Sequence, residues 1–248
     1  MSSPASPAPA AGKAPGRPDR RRLSILMPVY NERRTLAEVV ARIRAADLLG
    51  LEREIVLVDD GSTDGTRELL PTLAGADCRV ILHAENRGKG AAVRTALAAA
   101  TGDLSLIQDA DLEYDPGDYR LLLAPALAGA PCVYGSRFLG DPRNMAPVTA
   151  LANRFLTALT RLLYHLDVTD METCYKLVET DLLRSLRLRA ERFDLEPEIT
   201  LKLARRRVPI IEVPIRYQAR SRGEGKKIGV GDGIAAIWTL LKYRFGDG

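Results

Sequence analysis

Apolar runs and polar turns alternate along most of the chain. Leu23-Ser24-Ile25-Leu26-Met27 is apolar and stops at Pro28, which predicts a first strand. Thr35-Leu36-Ala37-Glu38 has capping-box spacing, and Leu36, Val39, Val40 and Ile43 then share a helical face. Glu54 to Val58 lacks polar alternation, as in a strand buried on both faces, and it stops at the turn Asp59-Asp60-Gly61-Ser62. A short helix is expected from Thr66 and a third strand over Val80-Ile81-Leu82. Gly88 to Ala100 reads as an alanine-rich helix closed by Gly102. Leu104 to Ile107 and Pro131 to Tyr134 are the fourth and fifth strands. Residues 147–165 and 195–206 are predicted helical, Val208 to Tyr217 a strand, and 230–245 a last helix with Trp238 on its apolar side. Strand alternating with helix places the chain in the α/β class: a mostly parallel sheet covered by helices on both faces, followed by C-terminal amphipathic helices.

Composition sets the boundaries. Residues 1–22 are Pro, Ala, Ser and Gly followed by an arginine cluster, which predicts a disordered tail. Residues 23–248 then form one domain, and 46% hydrophobic residues suffice for a sizeable core. The formal charge of +4 fits an anionic substrate or an anionic membrane surface and does not call for nucleic acid. Cys78, Cys132 and Cys174 stand far apart with no CxxC pair, which favours buried thiols in a reducing compartment. The longest apolar run, Leu121 to Val133, contains Pro125 and is too short to cross a bilayer, and the arginine cluster is in the wrong order for a secretion signal. The expected location is cytoplasmic, with Met145 to Leu166 and the last helix suited to lie peripherally on the cytoplasmic membrane face.

Candidate chemistry gathers where strands end, because ligands of open parallel sheets bind at the carboxyl ends of the strands. Three polar clusters stand there: Tyr30-Asn31-Glu32, Asp59-Asp60 and Asp109-Ala110-Asp111. In an extended segment Asp109, Asp111 and Glu113 face the same way, so three carboxylates enter one cleft. Unpaired, they repel and raise one another's pKa; a divalent cation removes that cost, and oxygen-only ligands favour Mg²⁺ or Mn²⁺.

These residues bring in a family. Met27-Pro28-Val29-Tyr30-Asn31-Glu32, Val58-Asp59-Asp60-Gly61-Ser62-Thr63-Asp64-Gly65-Thr66, Asn86-Arg87-Gly88-Lys89-Gly90, Asp109-Ala110-Asp111 and Gly135-Ser136-Arg137-Phe138 occur in the order seen in family 2 glycosyltransferases. The chain resembles more narrowly the dolichol-phosphate mannose synthase and polyprenyl-phosphate glucosyltransferase group, over residues 23–243. The resemblance implies a GT-A (Rossmann-like) fold, a nucleoside-diphosphate sugar donor and inversion at the anomeric carbon. It assigns Pro28, Tyr30, Glu32 and Asp60 to the base and ribose, with Val58 and Asp59 beside them. Asp109, Ala110 and Asp111 would hold the diphosphate through the metal, with Glu113 as a further ligand in place of the family's glutamine. Lys89 and the phosphate-binding Arg137 join the donor set. Arg220 and Lys226 belong to a basic loop in which Gly225 replaces the family's serine. Glu198 and Lys202, four apart on one helix, are carried over as an acidic residue near the acceptor and a lysine near the donor. Lys176 stands where the family has arginine, without the bidentate fork.

The implied reaction is attack on the sugar carbon while the nucleoside diphosphate leaves, with the cation, Arg137 and the basic loop stabilising the growing charge. A phosphate acceptor is already ionised; a hydroxyl acceptor needs a base, for which Glu198 and Asp111 are the candidates. Two acceptors stay open: polyprenyl phosphate at a membrane surface, or a small hydroxylated metabolite. A nucleotidyltransferase would show a glycine-rich loop after the first strand, and Pro28-Val29-Tyr30-Asn31 is not one.

Overall fold

The computed structural model describes residues 22–220, 238–240 and 242–244. The expected tail, apart from Arg22, lies outside the described residues, as does Lys226. Seven strands form one sheet: β1 (Arg22–Val29), β2 (Glu52–Asp59), β3 (Cys78–Leu82), β4 (Leu104–Ile107), β5 (Cys132–Arg143), β6 (Lys176–Glu179) and β7 (Ile211–Gln218), in the order β3-β2-β1-β4-β6-β5-β7. β1 pairs in parallel with β2 and β4, β2 with β3, and β5 with β7. β6 runs antiparallel between β4 and β5. The helices are α1 (Leu36–Ala45), α2 (Leu70–Leu73), α3 (Lys89–Ala99), α4 (Tyr119–Leu127), α5 (Pro147–Tyr164), α6 (Thr180–Ser185) and α7 (Leu195–Arg205). Every residue from Leu23 to Met27 and throughout β4 is buried, so both faces of the sheet's middle are covered.

Several local outcomes depart from the sequence pattern. β1 continues through Pro28 to Val29. The Val29 carbonyl accepts from the Asp60 N–H on the β2 side. Pro28 therefore turns its missing donor toward β4, where pairing has already ended at Leu26–Ile107. Thr35 makes no side-chain cap for α1; its hydroxyl donates to the Glu32 carboxylate at 2.8 Å. The fifth strand is far longer than Pro131 to Tyr134, and β6 was not anticipated. The β5–β7 register shifts between Ser136 and Asp141, where a Cβ on Gly140 would lie 2.0 Å from the Ile215 carbonyl oxygen. A satellite core of Leu156, Met171, Leu201, Leu240 and Tyr243 ties α5 and α7 to the helical residues 238–240 and 242–244.

Candidate active site

Two loops at the carboxyl ends of β1 and β2 are stitched together by short polar side chains. The Asn31 N–H donates to Ser62 Oγ (2.9 Å), the Thr63 N–H to Asn31 Oδ1 (2.8 Å) and the Glu32 N–H to Thr66 Oγ1 (2.9 Å). Asn31 takes a left-handed φ of 53°, which its short amide tolerates better than a branched side chain does. The loops thereby hold Tyr30 and Glu32 beside Asp59 and Asp60.

The two adjacent aspartates are used differently. Asp60 spends both oxygens on the loop before α3: Oδ1 pairs with His83 Nδ1 at 2.7 Å and accepts from the Arg87 N–H, while Oδ2 accepts from the Gly88 N–H at 2.7 Å. Asp59 is buried; its Oδ2 accepts from Arg67 Nε and Nη2 at 2.8 and 2.6 Å, and its Oδ1 has no partner. The unpartnered acceptor is thus on Asp59, sealed beneath the loops. Close packing fixes the same loop, because a Cβ on Gly88 would lie 2.3 Å from the Glu191 carbonyl oxygen and one on Gly90 2.4 Å from that of Ala190.

The β4 end carries the acidic cluster. Gln108 sets it: its Oε1 accepts from the Tyr119 and Tyr175 hydroxyls, each at 2.7 Å, and its Nε2 donates to the Asp109 carbonyl at 2.8 Å. The segment after Asp111 is not extended. Leu112 takes φ 63°, and the Glu113 N–H donates to Asp111 Oδ1 at 3.1 Å, so the chain bends and alternation does not aim the third carboxylate. Glu113 instead accepts from the Tyr217 hydroxyl (2.6 Å) and the Arg220 N–H (2.8 Å). Two cations enter the cluster. Lys89 Nζ lies 2.8 Å from Asp109 and 2.7 Å from Glu196 of α7. Arg220 spans Glu32 (3.1 Å) and Asp111 (3.0 Å). Burial opposes charge on Lys89, but the neighbouring carboxylates outweigh it and hold the ammonium well above its ordinary pKa.

The donor chemistry fits a divalent cation. Burial first, then the charges of Asp109 and Glu113, push the Asp111 carboxyl up to about 7, the like-charge frustration that a hard cation relieves. Among the described residues no three such groups already stand at ligand spacing, and Lys89 and Arg220 supply the positive charge.

Arg137 lies deep beside the cluster and is locked to Asp170, which accepts from Nε and Nη2 at 2.7 Å each and from the Arg137 N–H at 3.0 Å. Neither Asp170 nor Glu196 was singled out as a site residue from the sequence. Beyond Arg137, Phe138, Leu139, Arg154, Thr157 and Arg161 line a cavity of about 290 Å³ against α5. Val58 and Ala110 are buried, and Pro28 and Tyr30 are partly exposed.

Glu198 and Lys202 require correction. The Glu198 oxygens accept from the Arg189 and Ala190 N–H groups, from the Tyr243 hydroxyl at 2.6 Å and from Lys202 at 2.6 Å. Lys202 also donates to the Arg187 carbonyl. Both side chains are spent on the 187–190 turn and Tyr243, and the acidic residue that α7 turns to the cluster is Glu196. Lys176 is buried, donates to the Met171 carbonyl at 2.8 Å and lies 3.8 Å from the Tyr134 ring centroid, so it offers no phosphate contact.

Comparison with known proteins places this geometry. The profile for glycosyl transferase family 2 matches residues 24–187. A dolichol-phosphate mannosyltransferase of Pyrococcus furiosus is 29% identical over 229 residues, covering 90% of this chain and 64% of that protein. An undecaprenyl-phosphate 4-deoxy-4-formamido-L-arabinose transferase of Edwardsiella ictaluri is 30% identical over 208 residues, covering 82% and 62%. The chain thus spans somewhat less than two thirds of these relatives' length. The structure of glucosyl-3-phosphoglycerate synthase from Mycobacterium tuberculosis, in complex with Mn²⁺, UDP and glucosyl-3-phosphoglycerate, superposes with a TM-score of 0.71 at 25% identity, covering 92% of this chain and 81% of that one.

Proposed function

The chain belongs to glycosyl transferase family 2, and from that premise we propose that it moves a hexose from a nucleoside-diphosphate sugar, of the GDP-mannose or UDP-glucose type, to a polyprenyl phosphate at a membrane surface. The observation that carries the reading is the meeting of opposite charges at one end of the sheet: Asp109, Asp111 and Glu113 with Lys89 and Arg220, and Arg137 beside them.

Pro28, Tyr30, Glu32 and Val58 frame the nucleotide, with Asp59 and its unpaired Oδ1 buried beside them. Asp60 acts one step back, by holding the Arg87–Gly88 turn. Asp109, Asp111 and Glu113 would hold Mg²⁺ or Mn²⁺, which supplies Lewis-acid neutralisation of the leaving diphosphate. Lys89 and Arg220 add fixed positive charge to the same end of the donor, and the resemblance assigns Lys226 the same task. An acceptor phosphate oxygen attacks the anomeric carbon as its bond to the diphosphate breaks, with inversion; being ionised, that oxygen needs no base. Arg154 and Arg161, at the apolar cavity lined by Phe138, suit a phosphate on a hydrocarbon chain, with Arg137 held next to Phe138 by Asp170 as a further source of positive charge.

A lipid acceptor also suits the outer face of α5. Val148, Leu151, Phe155 and Leu162 fall on one stripe and are 57–73% exposed, flanked by Arg154 and Arg161. No helix among the described residues is long and apolar enough to cross a membrane. A second reading, transfer to a small hydroxylated metabolite, is favoured by the neighbour whose structure holds glucosyl-3-phosphoglycerate.

Protein incubated with Mn²⁺, labelled GDP-mannose or UDP-glucose, and polyprenyl phosphate in anionic vesicles is expected to give a labelled lipid. Labelling of 3-phosphoglycerate with no lipid product selects the second reading. Flotation with the vesicles tests the α5 face: replacing Leu151 and Phe155 by Glu should abolish it, and unchanged flotation would remove that face from the interaction.

A further inference from the structure

Two residues beyond Asp170, in the segment between α5 and β6, stands a carboxyl group with no role above. Glu172 is partly buried, yet its Oε1 is shut off from solvent and has no hydrogen-bond partner. The charged groups acting on it are Glu196, Lys176, Arg137 and Asp170. The two cations among them are engaged elsewhere. Arg137 is clamped by Asp170, and Lys176 donates to the Met171 carbonyl and to Thr200. A carboxylate with a purely structural role would have claimed one of them, since a buried charge without a partner is costly.

Its neighbours locate it. The segment that carries it joins two parts of the site: Asp170 clamps Arg137 at one end, and at the other the Cys174 N–H donates to the hydroxyl of Tyr114, next to Glu113 of the acidic cluster. Arg137 in turn lies against the ring of Phe138, which lines the cavity beside α5. What a transferase must seat between a leaving diphosphate and an acceptor is the sugar being moved. Sugars present hydroxyls, and an unfilled carboxyl oxygen in a sheltered site is their natural partner.

We propose that Glu172 determines specificity in the sugar subsite, its Oε1 accepting a hydrogen bond from a hydroxyl of the transferred sugar. The inference rests on the chain's binding a nucleotide sugar and is independent of which acceptor it uses. Burial, and then the charge of Glu196, push the Glu172 carboxyl up to about 7, and both of its protonation states bond to a hydroxyl.

The test separates sugar from nucleotide. Affinities for UDP, GDP, UDP-glucose and GDP-mannose are measured calorimetrically with Mn²⁺ for the wild type, Glu172→Ala and Glu172→Gln. Glu172→Ala is expected to weaken the preferred nucleotide sugar by roughly 10- to 100-fold, the scale of one hydrogen bond to a charged group. The matching nucleoside diphosphate should keep its affinity within about twofold, which also shows that the variant is folded, and Glu172→Gln should recover part of the loss. Parallel weakening of nucleotide and nucleotide sugar, or no change in either, overturns the proposal. A wild type that binds nucleotide sugars but labels no polyprenyl phosphate overturns the acceptor reading and leaves this one standing. A wild type that binds none of the four overturns both.

Discussion

Replacing Asp170 by Ala tests the electrostatics of the site most directly. The Asp170 side chain is fully buried and that of Arg137 is 6% exposed, so each screens the other in the absence of water. Three hydrogen bonds of 2.7–3.0 Å converge on the one carboxylate. Removing it strands a guanidinium in the interior, which costs about 3–5 kcal/mol. That is a large part of the roughly 5–15 kcal/mol that a domain has in total. Removing both partners strands only the Arg137 backbone N–H and no charge, so Arg137→Met with Asp170→Leu should lie closer to the wild type than Asp170→Ala alone. Urea unfolding followed by far-UV circular dichroism, applied also to the single variants Arg137→Met and Asp170→Leu, gives the free energies, and the double-mutant cycle formed by these two, the double variant and the wild type gives the coupling. A loss below about 1 kcal/mol for Asp170→Ala, the range of a solvent-screened pair, would refute the assignment of a buried, mutually dependent pair. So would a double variant whose cost equals the sum of the singles.

Three further outcomes follow from the same contacts. Asp111→Ala should abolish Mn²⁺-dependent nucleotide binding while the far-UV spectrum is kept; undiminished nucleotide affinity in a calorimeter would place the metal elsewhere. Burial pulls the Lys176 ammonium down to about 8, below its usual value of about 10.4, so between those limits the unfolded chain binds more protons than the folded one. Stability should therefore rise from pH 8 to pH 10, and Lys176→Met should flatten that slope in thermal melts; a parallel slope in the variant speaks against the shift. Gly90→Ala forces a Cβ to 2.4 Å from the Ala190 carbonyl oxygen, so the melting temperature should drop by several degrees and nucleotide affinity should fall with it; a melting temperature equal to the wild type's would show that the 190 turn gives way freely.

Much of the architecture was legible because burial on both faces leaves a plain signature. Ile55 to Val58 and Leu104 to Ile107 are unbroken or nearly unbroken apolar runs, and they are strands. β6 left no such mark: of Lys176-Leu177-Val178-Glu179 only two residues are apolar, and pairing on both sides makes the strand. Two residues on a helix differ by about 200° of rotation. Glu196 and Glu198 thus point to opposite sides of α7, and the sequence contains no zero of phase for that helix. The alternation expected to bring Glu113 into the cleft fails for a related reason, because it holds only while the backbone stays extended and Leu112 breaks it; Glu113 reaches the cluster through the bend instead. Asp170 could have been suspected only as a counter-ion for an arginine known to be buried, and burial of Arg137 is a property of the finished packing.

The placement of β6 also dictates an order of events as the chain is made. β4 needs a neighbour on the side away from β1, and that neighbour begins at Lys176, with Leu104 opposite Glu179. While the ribosome adds the intervening residues, the strand that carries the Asp109 cluster waits with an open edge. Contacts of such long sequence separation form late, and an unpaired apolar edge invites pairing with another chain. A nascent chain that ends before residue 176 should therefore recruit holding chaperones. One extended past β6 should release them, and that release marks the moment when the two sides of the active site are first joined.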